Sequence, residues 1–280
     1  MTTRRLGWLV LVVALTGCGH ARVTFQNATP SNPLAVPAYT YKPEGKGPLP
    51  AVVLLHGCEG VSENSHRWAQ WLRDQGYVAV VVDSWTPRKL KETCSFDVED
   101  PPNTARFDDA IGALRYLQAM PDVGRDRVGV MGWSNGGVFS MAVVNGPSLE
   151  RAKARGVVAE PGFAAAIGVY PGGCDSLAKE RAVKPLLVVI GDADDWTAAG
   201  TCQHLVDEMR AKGADVSIEL LPGAYHYFDF VGQQKTFLAH VGNDNKPGGC
   251  CGATVEYNAP ALERARKRIS EFLGYHLRAR

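Results

Sequence analysis

The sequence holds no surplus of charge for a charged partner to grip. Its 280 residues carry 30 Lys and Arg against 29 Asp and Glu, a formal net charge of +1 that falls to −1 without Arg4 and Arg5 of the leader. Proteins that hold nucleic acid concentrate basic side chains, so that class of partner is excluded. None of the seven cysteines forms C-x-x-C, which removes the usual spacing of a structural zinc site; neither a metal nor an organic cofactor is expected. The apolar run over residues 6–15 is shorter than the roughly 18 residues that a membrane-spanning helix needs. Internal repeats and low-complexity blocks are absent too, which leaves a globular domain, and a 45% hydrophobic content is ample for one sizeable core.

What is present begins with the leader, "MTTRRLGWLVLVVALTGC". A cationic start, an apolar stretch and small residues before a cysteine describe a secretory signal over residues 1–17. The ending "LTGC" resembles a bacterial lipobox, in which Cys18 takes a lipid and becomes the mature N-terminus; an ordinary cleaved signal or a short anchor is the alternative. The expected location is the bacterial cell envelope, in the periplasm or at the outer membrane, with the lipid anchor as the sole membrane contact. Gly19 after the cysteine resembles the outer-membrane pattern. Residues 18–34, rich in Asn, Thr, Ser and Pro, are expected to form a tether to a domain over residues 35–280. Export also permits disulfides among the six remaining cysteines.

From residue 49 apolar runs alternate with helical patterns. "AVVLLH" (51–56), "YVAVVVD" (77–83), "RVGVMGW" (127–133), "FAAAIGVY" (163–170), "PLLVVIGD" (185–192) and "DVSIELL" (215–221) read as strands. Between them, residues 66–76, 104–120 and 198–212 read as helices, and a last helix runs from about 259 to 276. Strands apolar throughout are buried on both faces, so the fold class is α/β: a mostly parallel central sheet with helices on both faces. Ligands gather at the carboxyl ends of such strands.

One of those ends is unusual. In "VGVMGWSNGGVFS" (128–140) a strand runs into Ser134 with Gly132, Gly136 and Gly137 around it, then turns helical. Glycines on both sides of one serine suit a strained turn with no room for neighbouring Cβ atoms, the G-x-S-x-G nucleophile elbow. A serine hydroxyl needs a base to become a nucleophile, and the base needs an orienting carboxylate. In α/β-hydrolases these follow in the order Ser, acid, His, each after a later strand. "GDADDW" offers Asp192, Asp194 and Asp195. Asp194 stands three residues past Gly191 in a G-x-x-D turn and is favoured, whereas Asp195 suits a helix cap near Thr197. "PGAYHYF" supplies His226 as the base; the runner-up, His240 in "FLAHV", reads as a packing residue. His56, ending the first strand, reads as a brace for the loop that follows. Main-chain N–H groups of Asn135, at the start of the helix after the serine, and of Cys58 in "HGCEG" are placed to hold an oxyanion. Together these features point to acyl transfer.

With "LLHGCEGVSENSHRWAQWLRDQGYVAVVVDSW", "GWSNGG", "GDADDWTAAGTCQ" and "PGAYHYFD" the chain resembles the dienelactone hydrolase family over residues 35–275. The resemblance implies an eight-stranded type of sheet without a large lid domain. It also implies hydrolysis of a small-molecule carboxylic ester or lactone by a triad of Ser134, Asp194 and His226. Founding members resemble G-x-C-x-G at the elbow and use arginines to grip an anionic lactone; here serine stands at the elbow and those arginines have no match. An ester is therefore the expected substrate rather than dienelactone itself. Trp133, Trp196, Tyr225 and Tyr227 flank the triad positions and are candidates for an acyl pocket, or for core. Placed on this fold, Cys58 with Cys94 and Cys174 with Cys202 become neighbours, leaving Cys250 with Cys251 as a vicinal pair. Residues 229–257 form a long connection that makes either one wall of the cleft or surface decoration. A polyester or feruloyl-type esterase and a non-catalytic envelope-anchored binding protein on the same fold are the alternative readings.

Overall fold

A computed structural model describes residues 20–94, 101–243 and 245–278. The leader and Cys18 lie outside the described residues. Eight strands form one sheet: β1 Ala21–Gln26, β2 Ala35–Tyr41, β3 Leu49–Leu55, β4 Val78–Val82, β5 Val123–Trp133, β6 Ala165–Val169, β7 Leu186–Gly191 and β8 Val216–Leu221. Their order is β1-β2-β4-β3-β5-β6-β7-β8. The pairs β1/β2 and β2/β4 are antiparallel, and from β4 to β8 all pairs are parallel. β3, β4, β6 and β7 are buried along almost their whole length, as their unbroken apolar runs require.

The helices are α1 Glu63–Asp74, α2 Pro101–Gln118, α3 Asn135–Ala142, α4 Gly146–Ala154, α5 Cys174–Ala178, α6 Ala199–Ala211 and α7 Ala259–Leu277. They cover both faces of the sheet. A Cβ at Gly129 of β5 would meet Leu277 of α7, whereas one at Gly132 would meet Gly136 of α3. Three residues apart on a strand, the two positions point to opposite faces. Phe107, Ala110, Ile111, Leu114 and Leu117 form the buried stripe of α2, as their helical spacing requires.

The stretch expected as a tether contributes an edge strand instead. In β1, Val23 and Phe25 are buried while Arg22, Thr24 and Gln26 face out, the period of two that a half-buried strand shows. The Phe25 ring packs against Tyr116 of α2, 6.1 Å between centroids, and the asparagine that follows is clamped to Asp109.

After β8 the chain adds a two-stranded antiparallel unit, β9 Thr236–Leu238 with β10 Ala253–Val255. The three expected disulfides, Cys58–Cys94, Cys174–Cys202 and Cys250–Cys251, are all formed. Cys58–Cys94 ties two loops at the carboxyl edge of the sheet, where the site lies, and Cys174–Cys202 ties α5 to α6 beside it.

Candidate active site

Ser134 follows β5 and precedes α3 with φ 49° and ψ −116°, a left-handed φ that a side-chain-bearing residue holds only when its surroundings force it. The glycines make this possible. A Cβ at Gly132 would run into the Gly136 carbonyl, and one at Gly136 into the carbonyls of Leu55 and His56. The Ser134 amide donates to Val169 O (3.0 Å) and its carbonyl accepts from Gly172 N (3.3 Å), which fixes the elbow against the loop after β6.

His226 follows β8 and is fully buried. Its Nδ1 lies 2.8 Å from Oδ2 of Asp194. Asp194 is itself pinned: Oδ1 accepts the amides of Trp196 and Thr197, both at 2.9 Å, and Oδ2 accepts the Thr197 hydroxyl at 3.1 Å. Nδ1 of the imidazole is thus occupied by a carboxylate. Its Nε2, also buried, has no hydrogen-bond partner among the described residues. The ring is held between Tyr170 (4.3 Å between centroids) and Trp196 (4.8 Å). Tyr170 sits in the same 169–172 segment that holds the Ser134 backbone, so one short stretch carries the contacts of both residues.

A cavity of about 580 Å³ opens above the elbow. Ser134, Asn135 and Cys58 line it together with Trp196 and Thr197, so the residues expected to supply the nucleophile and both oxyanion donors border one space. Gly242, Asn245 and Gly249 complete the wall, which places the 229–257 connection at the cleft. That connection is also stapled to the acid loop: Trp196 Nε1 donates to Gly242 O (2.9 Å), and Asn243 Nδ2 to Asp195 O (2.7 Å).

Several side chains differ from expectation. Asp195 caps no helix; it accepts from Thr254 N and Oγ1 at 2.7 and 2.9 Å, and the amides near Thr197 go to Asp194. Asp192 accepts from Gly223 N. Of the four aromatics, only Trp196 lines the cavity. Trp133 is buried and donates to Asp229 (2.8 Å), Tyr225 lies under the Lys235 ammonium, and Tyr227 donates to Glu59 (3.3 Å). His240 is exposed, not packed. His56 does brace its loop, through Gly57 O at 2.7 Å and Ser84 N at 3.3 Å.

Four further residues shape the site. Thr197 Oγ1 touches Tyr170 O (3.2 Å) and His226 Nδ1 (3.3 Å) as well as Asp194. Arg106 is fully buried; it donates to the Asn135 side chain and to His56 O, and stacks on Trp85 at 4.8 Å. Asp229 accepts four hydrogen bonds. Glu59, beside Cys58, folds back over Gly57, and burial pushes its carboxyl from 4.5 up to about 6, against the opposing pull of His226 and Arg106. "HGCEG" marks the Glu59 loop in the sequence, but its side-chain environment depends on Tyr227 from another loop.

The raised Glu59 carboxyl carries a prediction. The fold favours its neutral form, so the ionised form costs stability as pH rises from 4.5 through about 6, with the whole cost present above that window. A difference of that size corresponds to at most about 2 kcal/mol. Relative to wild type, Glu59→Gln is expected to gain up to that amount between pH 4 and pH 7.5, measured by urea unfolding at both. A stability difference independent of pH contradicts it.

Compared with known proteins, residues 36–277 match the model of the dienelactone hydrolase family. The chain belongs to the dienelactone hydrolase family. A curated relative, a "Probable 2-oxo-3-(5-oxofuran-2-ylidene)propanoate lactonase" of Bradyrhizobium sp., is 25% identical over 197 residues, 68% of this chain and 78% of that protein. Among solved structures, a dienelactone hydrolase-like promiscuous phosphotriesterase from metagenomic libraries superposes with a TM-score of 0.64 at 20% identity, covering 93% of this chain and all of that one. Thermogutta terrifontis esterase 2, phosphorylated by paraoxon, gives 0.61 at 16% identity, covering 93% and 96%. The family match and these likenesses agree with the fold: an eight-stranded, mostly parallel sheet with no large additional domain among the described residues.

Proposed function

We propose that this family member is a serine hydrolase of carboxylic esters that works through an acyl-enzyme. One observation carries the reading: a buried imidazole bonded through Nδ1 to Asp194, its Nε2 unpartnered among the described residues, shares the loop after β6 with an elbow serine. Nε2 takes the Ser134 proton as Oγ attacks the ester carbonyl carbon, and the Asp194 carboxylate steadies the imidazolium. The N–H groups of Cys58 and Asn135 hold the oxyanion. Collapse breaks the bond to the alcohol, which leaves with the proton from His226. A water, deprotonated by His226, then attacks the acyl carbon; collapse breaks the bond to Ser134 Oγ, which takes the proton back from His226, and the acid leaves.

The cavity also narrows the substrate. Its described lining includes no Lys or Arg and one carboxylate, Asp175, so nothing there compensates the desolvation of an anionic acyl group. An uncharged ester fits better than an anionic lactone. The test pairs a fluorophosphonate probe with two p-nitrophenyl esters, the butyrate and the glutarate half-ester. Expected are a label mapped to Ser134 and a kcat/KM at least about tenfold higher for the butyrate, roughly 1.4 kcal/mol of discrimination. No label would leave a binding protein on this fold, and equal turnover of both esters would remove the charge preference.

We also propose export and a lipid on Cys18, supported by the leader and the "LTGC" ending. Metabolic labelling with a palmitate analogue is expected to mark the wild type and not Cys18→Ala; label on both, or on neither, rejects the anchor.

A further inference from the structure

Asp229 is buried to 1% exposure yet pairs directly with no Lys or Arg among the described residues. Its partners are neutral donors from three places in the fold. Oδ2 accepts Asn64 Nδ2 (2.9 Å) and Trp68 Nε1 (2.7 Å) from α1, and Trp133 Nε1 (2.8 Å) from the end of β5. Oδ1 accepts the Tyr170 hydroxyl at 2.7 Å. Arg266, standing over the Trp68 and Trp71 indoles at 5.4 and 5.7 Å, supplies neighbouring positive charge. A buried carboxylate is tolerated only when fully bonded, and this one spends both oxygens on tying elements together.

Those elements are the ones that carry the site. Trp133 immediately precedes Ser134, α1 follows the oxyanion loop, and Asp229 lies three residues after His226. Tyr170 links the cage to the base: its hydroxyl binds Asp229, its ring packs on the imidazole and its carbonyl holds Thr197. Between His226 and Asp229 the backbone passes through Tyr227 at φ 62°, a conformation that persists only when neighbours over-determine it.

We infer that Asp229 is a positioning residue for the base: through the Tyr170 hydroxyl it sets where His226 stands relative to Ser134. The inference rests on the proposed Ser134–His226 reading. A misplacement of about 1 Å costs on the order of 10²-fold in rate, and such a loss falls on kcat rather than KM when ground-state binding is untouched.

The test uses the full chain with p-nitrophenyl butyrate and compares Asp229→Asn, Tyr170→Phe and Trp68→Phe, each with its thermal midpoint. Asp229→Asn and Tyr170→Phe are expected to lower kcat by about 30–100-fold with KM within about threefold of wild type. Trp68→Phe removes a bond to Oδ2, the oxygen that Asn64 and Trp133 also hold, leaves the Tyr170 bond to Oδ1 in place, and keeps kcat within about threefold. If Asp229→Asn does not fold, the contrast between Tyr170→Phe and Trp68→Phe decides alone. Equal kcat losses in those two, or wild-type kcat in folded Asp229→Asn or Tyr170→Phe, overturn the inference. Ser134→Ala run alongside separates the failures: full activity there removes the site reading, whereas its loss with wild-type kcat in Tyr170→Phe removes this inference alone.

Discussion

Ser134→Ala is expected to lower kcat for p-nitrophenyl butyrate by at least about 10⁴-fold, since removing the nucleophile costs about as much as removing the whole triad. The variant keeps the elbow. Alanine retains the Cβ that the left-handed turn already tolerates, the backbone bonds to Val169 and Gly172 do not involve the hydroxyl, and the flanking glycines are untouched. The folded fraction is thus expected to match wild type, and the loss is chemical. No neighbouring side chain replaces the hydroxyl. Cys58, Cys94 and Cys174, which line the cavity, are all held in disulfides, and a disulfide sulfur has no thiolate to attack with. The oxyanion donors are main-chain groups that survive, so residual turnover above background is expected. A kcat within tenfold of wild type in the folded variant rejects the assignment.

The parts of the site legible in the sequence are those with a local signature. Ser134 announces itself because the elbow needs Gly132 and Gly136 beside it; Asp194 follows a strand and a glycine; His226 stands just past the last long strand. Each signature spans fewer than ten consecutive residues and is set by the order of strands. The cysteine pairs are legible for a related reason: once strand order is known, the segments that carry Cys58 and Cys94, and those that carry Cys174 and Cys202, are neighbours. Asp229 has no such signature. Its donors arrive from 165, 161, 96 and 59 positions away, and an aspartate after "YHYF" looks like any other until those side chains meet. The aromatics divide between cleft and core for the same cause. Trp133 and Trp196 are alike in sequence, yet one spends its indole N–H on a buried carboxylate and the other on the wall of the cleft. β1 is obscured differently: six alternating residues between the leader cysteine and an Asn- and Pro-rich stretch resemble a linker, and their pairing with β2 is what makes them a strand.

Asp194→Asn is expected to lower kcat by about 10³–10⁴-fold, the cost of holding the base in the wrong tautomer. The direction follows from the acceptor geometry. Oδ1 takes two main-chain amides, from Trp196 and Thr197, while Oδ2 takes one hydroxyl, which can rotate, and faces Nδ1 of the imidazole. The asparagine oxygen must therefore occupy the Oδ1 position, because an NH₂ there would face two N–H donors. Its NH₂ then points at Nδ1 of His226. That nitrogen becomes an acceptor, the proton moves to Nε2, and a protonated Nε2 cannot take a proton from Ser134. Both backbone bonds that fix the acid turn survive, so the variant is expected to keep its thermal midpoint within a few degrees. Titration with the fluorophosphonate probe gives an independent readout, since labelling also requires an activated serine and is expected to slow in parallel with kcat. A variant that folds, hydrolyses p-nitrophenyl butyrate within tenfold of wild type and labels at the wild-type rate would show that Asp194 does not orient the base, and the carboxylate of the triad would have to be sought elsewhere in the loop.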